Sequence, residues 1–179
     1  QYLMQKSGIS EDELTIEFKS EAAEVVSALA QDSKAAGILP QPFATVAMMQ
    51  DQELSLNFPL ENAWKEYSPD GSGIATGVTI VRTAFAEEHP AAAAQFVADH
   101  QQSVAAAEED PARAAQLIEQ AGIVKAPVAQ QVIENFNPMV AASGEEMQTW
   151  VAGYLEMLYE IAPDAVGGTL PDEGFYYLG

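Results

Sequence analysis

Few residues of this chain have the chemistry of a catalyst. It has no Cys and two His, against 27 Asp and Glu and 7 Lys and Arg. Without Cys there is no thiolate nucleophile, no disulfide framework and no cysteine metal site. His89 and His100 stand eleven residues apart in one helical stretch. That is about three turns, or about 16 Å, too far for one metal ion. No H-E-x-x-H pair, Walker-type phosphate loop or G-x-S-x-G elbow occurs. Carboxylates are so numerous that a pair of them signals nothing, and Glu108-Glu109-Asp110, which could bind Ca²⁺ weakly, is better explained by a solvated helix N-terminus. No catalytic residue, metal or cofactor is expected, and no enzyme activity.

Residues that could hold a ligand are easier to find. Ala35 to Thr45 reads AAGILPQPFAT. An apolar strand, Ala36 to Leu39, is expected to stop at Pro40-Gln41-Pro42 and reverse into a helix from Phe43. That is the βα unit of an open α/β sheet, and such sheets bind ligands at the carboxyl ends of their strands. Pro40 and Pro42 cannot donate ladder hydrogen bonds and they fix φ. Gln41, between them, keeps a side chain that can donate and accept. Leu14 to Lys19, LTIEFK, alternates like a strand. Ser20 then fits the N-cap of a helix carrying Glu21 and Glu24 in its first turn. Ser20, Glu21 and Gln41 are thus expected on the rim of one crevice, with helix N–H groups nearby for an anion. Plain capping by Ser20, a solvated Glu21 and a merely rigid turn at Gln41 are the alternatives.

These residues need elements to position them. The first forty-five residues read α-β-α-β-α, which implies a parallel strand pair with a right-handed crossover. The opening helix, Tyr2 to Ser7, closes at Gly8. Leu54 to Phe58 is a further short strand, and Trp64, in a loop-helix segment over Glu61 to Tyr67, is expected as a core plug or an inter-lobe contact, with stacking on a ligand as the alternative. Tyr67 to Gly73 is turn-rich. Ile74 to Arg82 is the most strand-like segment, interrupted by Gly77. Arg82 reads as a surface ion-pair partner rather than an anion clamp. Helices follow. One opens at His89-Pro90 with an apolar stripe through Ala93, Phe96, Val97 and Val104. Others cover Ala112 to Gln120, Val128 to Asn135, and Met147 to Ile161 behind a Ser143/Glu146 capping box.

Composition narrows the partners. At 48% apolar residues a packed core is expected. A net charge of −20 argues against binding nucleic acid or anionic lipid, since both rely on Lys and Arg. No apolar run is long enough to span a membrane, and Gln1-Tyr2-Leu3-Met4 does not read as a signal peptide.

AAGILPQPFATVA resembles the strand-turn-helix of periplasmic substrate-binding proteins of the nitrate/sulfonate/taurine and thiamine-precursor type, which serve ABC importers. Gly77 to Arg82 with Phe85 to Pro90, Gly144-Glu145-Glu146-Met147, and Gly167 to Asp172 with Phe175-Tyr176-Tyr177 fit the same family in order. Gln41 stands where the family usually has Glu, and Lys34 and Ala35 where a Gly-x-x-Asp approach is common. The resemblance implies an α/β fold, the second lobe of a periplasmic binding protein of type II followed by helices, with the first lobe missing. It divides the chain into a partial ligand-binding lobe (1–76), a hinge strand (77–84) and a helical region (85–179). It implies an extracytoplasmic protein that binds a small organic or inorganic solute (a sulfonate, nitrate or pyrimidine-like compound) between two lobes and passes it to a membrane permease. Ser20, Glu21, Gln41 and Thr76 would supply half the pocket. Apolar helix faces deprived of the missing lobe would favour a homodimer. The alternatives are a sensory or regulatory module of the same fold, or a non-enzymatic helical interaction protein.

Overall fold

The computed structural model describes residues 2–69, 71–136 and 139–179. Nine α-helices occur among these residues: α1 (Tyr2–Lys6), α2 (Ala22–Leu29), α3 (Phe43–Gln50), α4 (Leu60–Tyr67), α5 (Thr83–Glu88), α6 (Pro90–Glu109), α7 (Pro111–Gln120), α8 (Ala126–Phe136) and α9 (Gly144–Ile161). No strand is formed among the described residues.

The expected α/β fold, a type II periplasmic-binding-protein lobe with parallel strands, is therefore incorrect. Leu14–Lys19, Ala36–Leu39, Leu54–Phe58 and Ile74–Arg82 are irregular connections between helices. Period-2 alternation specifies which side chains share a face but supplies no partner for the backbone. None of these segments is laddered to another, and apart from Leu39, Leu54 and Ile74, which are half-buried, their large apolar side chains stay in solvent. Phe18 is 80% exposed, Ile38 76% and Ile80 86%.

The helix signals fared better, because they are local. Gly8 and Gly122 end α1 and α7 with φ of +76° and +74°, a conformation open to glycine. Pro90 and Pro111 occupy the first positions of α6 and α7, where a missing N–H costs nothing. The Asp110 carboxylate caps α7, accepting from Arg113 N at 3.0 Å. The stripe expected on α6 is incomplete. Ala93 is buried, but Phe96 is 52% exposed and stacks on His100, with centroids 6.1 Å apart.

The chain divides into two compact units that interleave in sequence. One comprises Gln1–Ile16, Phe58–His100 and Ala142–Gly179, the other Glu17–Asn57 and Gln101–Ala141. In the first, Tyr2, Trp64 and Met157 form the core, flanked by Leu3, Ile74, Tyr154, Leu158 and Ile161. Trp64 is indeed a core plug. Its ring lies 6.1 Å from that of Tyr2 and 5.5 Å from that of Tyr154, and its Nε1 donates to Ser72 Oγ at 3.0 Å. Buried indole nitrogens need such a partner. Gly153 on α9 lies so close to Ser72 that a Cβ there would collide with the Ser72 Cβ.

In the second unit α7 and α8 form a helical hairpin, and α3 packs on α8 and on α2. Ala115 on α7 and Val128, Ala129, Val132 and Ile133 on α8 are the buried residues of that hairpin. Its corner is closed by Glu119, which accepts from Lys125 Nζ at 3.0 Å and from Ala126 N at 3.1 Å.

Candidate functional site

The best-defined polar geometry is at the turn before α3. Residues 35–40 approach α2 closely at Gly37, where a Cβ would lie 3.0 Å from both Val25 Cγ1 and Leu29 Cδ1. A Cβ there would crowd the apolar face of α2, and the Val25 and Leu29 side chains would have to give way. The chain then turns through Pro40, a cis Gln41–Pro42 peptide and into α3. Gln41 folds back over the first turn of that helix. Its Oε1 accepts from Thr45 Oγ1 at 2.9 Å and from Thr45 N at 3.3 Å. Thr45 is fully buried.

This clamp fixes the orientation of the Gln41 amide. A backbone N–H can only donate, so the side-chain oxygen must face it and the Nε2 amide must face away. Among the described residues Nε2 has no protein partner, and Gln41 is only half-buried. The turn therefore presents two aimed N–H donors on a short, stiff connection. Thr45 was missed in the sequence, although its position four residues after Gln41 at a helix start carried the signal.

Ser20 and Glu21 lie at the N-terminus of α2 in the same unit as Gln41. The expected capping is shifted by one residue. Glu21 is the N-cap, and Glu24 Oε2 accepts from both Ser20 N and Glu21 N at 3.1 Å. A carboxylate three residues into the helix thus takes the Ser20 and Glu21 N–H groups and puts its own negative charge where an anion was expected. The Ser20 and Glu21 side chains are exposed, and no bond joins them to Gln41. Thr76 is exposed in the irregular segment 74–82 of the other unit.

Two clefts lie elsewhere. One of about 380 Å³ is lined by Glu108, Pro111, Ile133 and Glu134. A smaller one of about 200 Å³ lies against α9, with Glu156, Leu170, Asp172 and Tyr176 in its wall. Burial there pushes the Tyr176 phenol above its ordinary range, helped by the Glu156 carboxylate. Phe175, beside Tyr176, is 61% exposed. Among the described residues no group of three His, Asp or Glu could hold a metal ion. No helix among them is long and apolar enough to cross a membrane.

No protein-family model, curated protein or solved structure matches the chain at a significant level.

Proposed function

We propose that this chain is a non-enzymatic solute-binding protein, the extracytoplasmic receptor of an ABC importer, and that Gln41 is its principal ligand contact. The observation that carries this reading is the Thr45 clamp, which holds the Gln41 amide with its donors outward. The motif resemblance supports the transport role. The sheet is not needed for it, because the amide is held by α3 alone.

Two aimed N–H donors fit a solute with hydrogen-bond acceptors, such as a sulfonate or nitrate oxygen or a pyrimidine carbonyl. The strongly negative chain favours those of low charge. Replacing Gln41 by Glu keeps an oxygen for Thr45 but turns the outward donor into an acceptor. Gln41→Glu therefore separates binding from folding.

The test is a thermal-shift screen of wild type and Gln41→Glu against taurine, other sulfonates, nitrate, dicarboxylates and pyrimidines. A ligand at 100 times its Kd adds about 2.7 kcal/mol, or roughly 5–10 °C in Tm for this size. One acceptor-bearing class is expected to shift wild type by that amount and to lose the shift in Gln41→Glu. No shift from any class, or an undiminished shift in the variant, contradicts the proposal.

One observation favours a second reading, a helical interaction protein. Phe18, Ile38, Val78 and Ile80 are 64–86% exposed on connections between helices. That reading expects no thermal shift from any solute in the panel.

A further inference from the structure

Residues 74–82, IATGVTIVR, join the core of the first unit to α5. Six of the nine are β-branched: Ile74, Thr76, Val78, Thr79, Ile80 and Val81. Such a composition fits a pleated, laddered strand. Yet among the described residues no backbone hydrogen bond joins the segment to another, beyond Arg82 O accepting from Ala86 N at the start of α5. Val78 and Ile80, two residues apart and so on one side of an extended chain, are 64% and 86% exposed.

Both ends of the segment are fixed. Ser72 Oγ accepts from Trp64 Nε1 at 3.0 Å and donates to Pro69 O at 2.6 Å. Gly73 is buried against Trp150, whose ring would lie 2.8 Å from a Cβ at that position. At the other end α5 begins at Thr83. An apolar span held at both ends pays little ordering entropy when it gains a partner. It also lacks the devices that protect free edges: no proline, and no charge before Arg82.

The charge pattern indicates the occupant. Residues 71–86 contain one Arg and no carboxylate, although the chain as a whole carries −20. Directly after them come Glu87 and Glu88, both exposed. Ile74 to Val81 carries no charge, and the charges that follow it, Arg82 and then Glu87 and Glu88, are acidic on balance, the anatomy of an interface core and its rim. Its electrostatic complement is an apolar strip with a basic border. A second copy of this chain would bring a net −20 of its own and is repelled.

We propose that residues 74–82 form a docking edge that captures an extended, apolar polypeptide segment with Lys or Arg flanks by strand addition. The partner's backbone ladders with 74–82, its alternate apolar side chains cover Val78 and Ile80, and its cations meet Glu87 and Glu88. This edge is separate from the Gln41 turn and does not depend on the solute reading.

The test uses the full chain and two synthetic ten-residue peptides with the same Val/Thr alternation, one flanked by Lys pairs and one by Glu pairs. Fluorescence anisotropy reads binding, and amide hydrogen exchange locates it. The Lys-flanked peptide is expected to bind at least tenfold more tightly than the Glu-flanked one, to weaken with salt, and to slow exchange across 74–82. Ile80→Lys, at an exposed position that leaves folding intact, abolishes binding. Glu87→Gln with Glu88→Gln removes most of the preference for Lys flanks. Equal affinity for both peptides, no binding of either, or binding unchanged by Ile80→Lys overturns the proposal. So does a concentration-dependent dimer that Ile80→Lys dissociates, since the occupant would then be a second copy.

Discussion

The connections that lead into α3 and α5 are close to twins in sequence. Each is rich in apolar residues, each contains glycine, and each lies in a long run free of carboxylates (33–50 and 71–86). The structure treats them differently. Residues 35–42 are tied at two points: a Cβ at Gly37 would lie 3.0 Å from Val25 and Leu29 of α2, and Gln41 is clamped by Thr45, while Ile38 between them is exposed. Residues 74–82 are held only at their ends, by Ser72 and Gly73 on one side and α5 on the other. The difference lies in the neighbours rather than in the segments. A glycine facing a helix and a Thr at the fourth place after Gln41 give the first connection its partners. The second has β-branched side chains with nothing opposite them. A fixed polar group suits a small solute, and an open apolar edge suits another chain.

The largest way to blur this contrast is to remove the anchor of the open segment. Trp64→Ala empties a site that is 4% exposed and leaves Ser72 without its indole donor. A loss of about 3–5 kcal/mol is expected by urea denaturation, as for other buried aromatic truncations. Gly153→Ala drives a methyl into the Ser72 Cβ and is expected to cost about 1–3 kcal/mol by overpacking.

The pinned connection breaks at its clamp. Gln41→Ala strands the buried Thr45 hydroxyl, and an unpaired buried polar group costs about 1–3 kcal/mol. Gln41→Glu keeps the clamp and is expected to denature within about 0.5 kcal/mol of wild type. If Gln41→Ala proved neutral, the turn would be as loose as 74–82 and the contrast would fail. Ile80→Ser is its mirror image. At 86% exposure it is expected to change stability by less than about 0.5 kcal/mol while removing peptide capture.

The smallest effect is a pH dependence at the α7–α8 corner. The hydrogen bond from Lys125, followed by that from Ala126 N, holds the Glu119 carboxyl below its ordinary range. A depressed folded pKa stabilises the fold above the unfolded value, and the gain fades as pH falls through the folded one. Acid titration of the melting temperature should therefore show a small loss below the usual carboxylate range, absent in Glu119→Gln. Both side chains are solvated, so added salt should shrink it further.

What was legible in the sequence was whatever a short window settles. Pro90, Asp110-Pro111, Gly122 and the 43–50 helix could be read because capping and proline geometry act within a turn. Trp64 was readable as core because an indole amid a helical pattern has few other homes. The strands were not, because alternation at Leu14–Lys19 or Ile74–Arg82 names a face and leaves open whether a second segment arrives to pair with it. Of the four residues expected to bind a ligand, Gln41 has an orientation fixed by its neighbours. At Ser20 and Glu21 the backbone N–H groups go to Glu24, a competition visible in S-E-x-x-E but read one residue early. Thr76 and Gln41 fall in separate compact units, which the linear order of motifs could not reveal.

The most direct test of the central claim follows the Gln41 side-chain amide itself by nitrogen–proton NMR during titration with the solute class selected by the thermal screen. The expected result is a saturable shift of the two Nε2 protons, with the Thr45 amide nearly still because its clamp persists, and no saturable response in Gln41→Glu. Saturable shifts elsewhere in the chain while the Gln41 amide stays put would contradict the account, since the solute would then bind without the donors on which the proposed function rests.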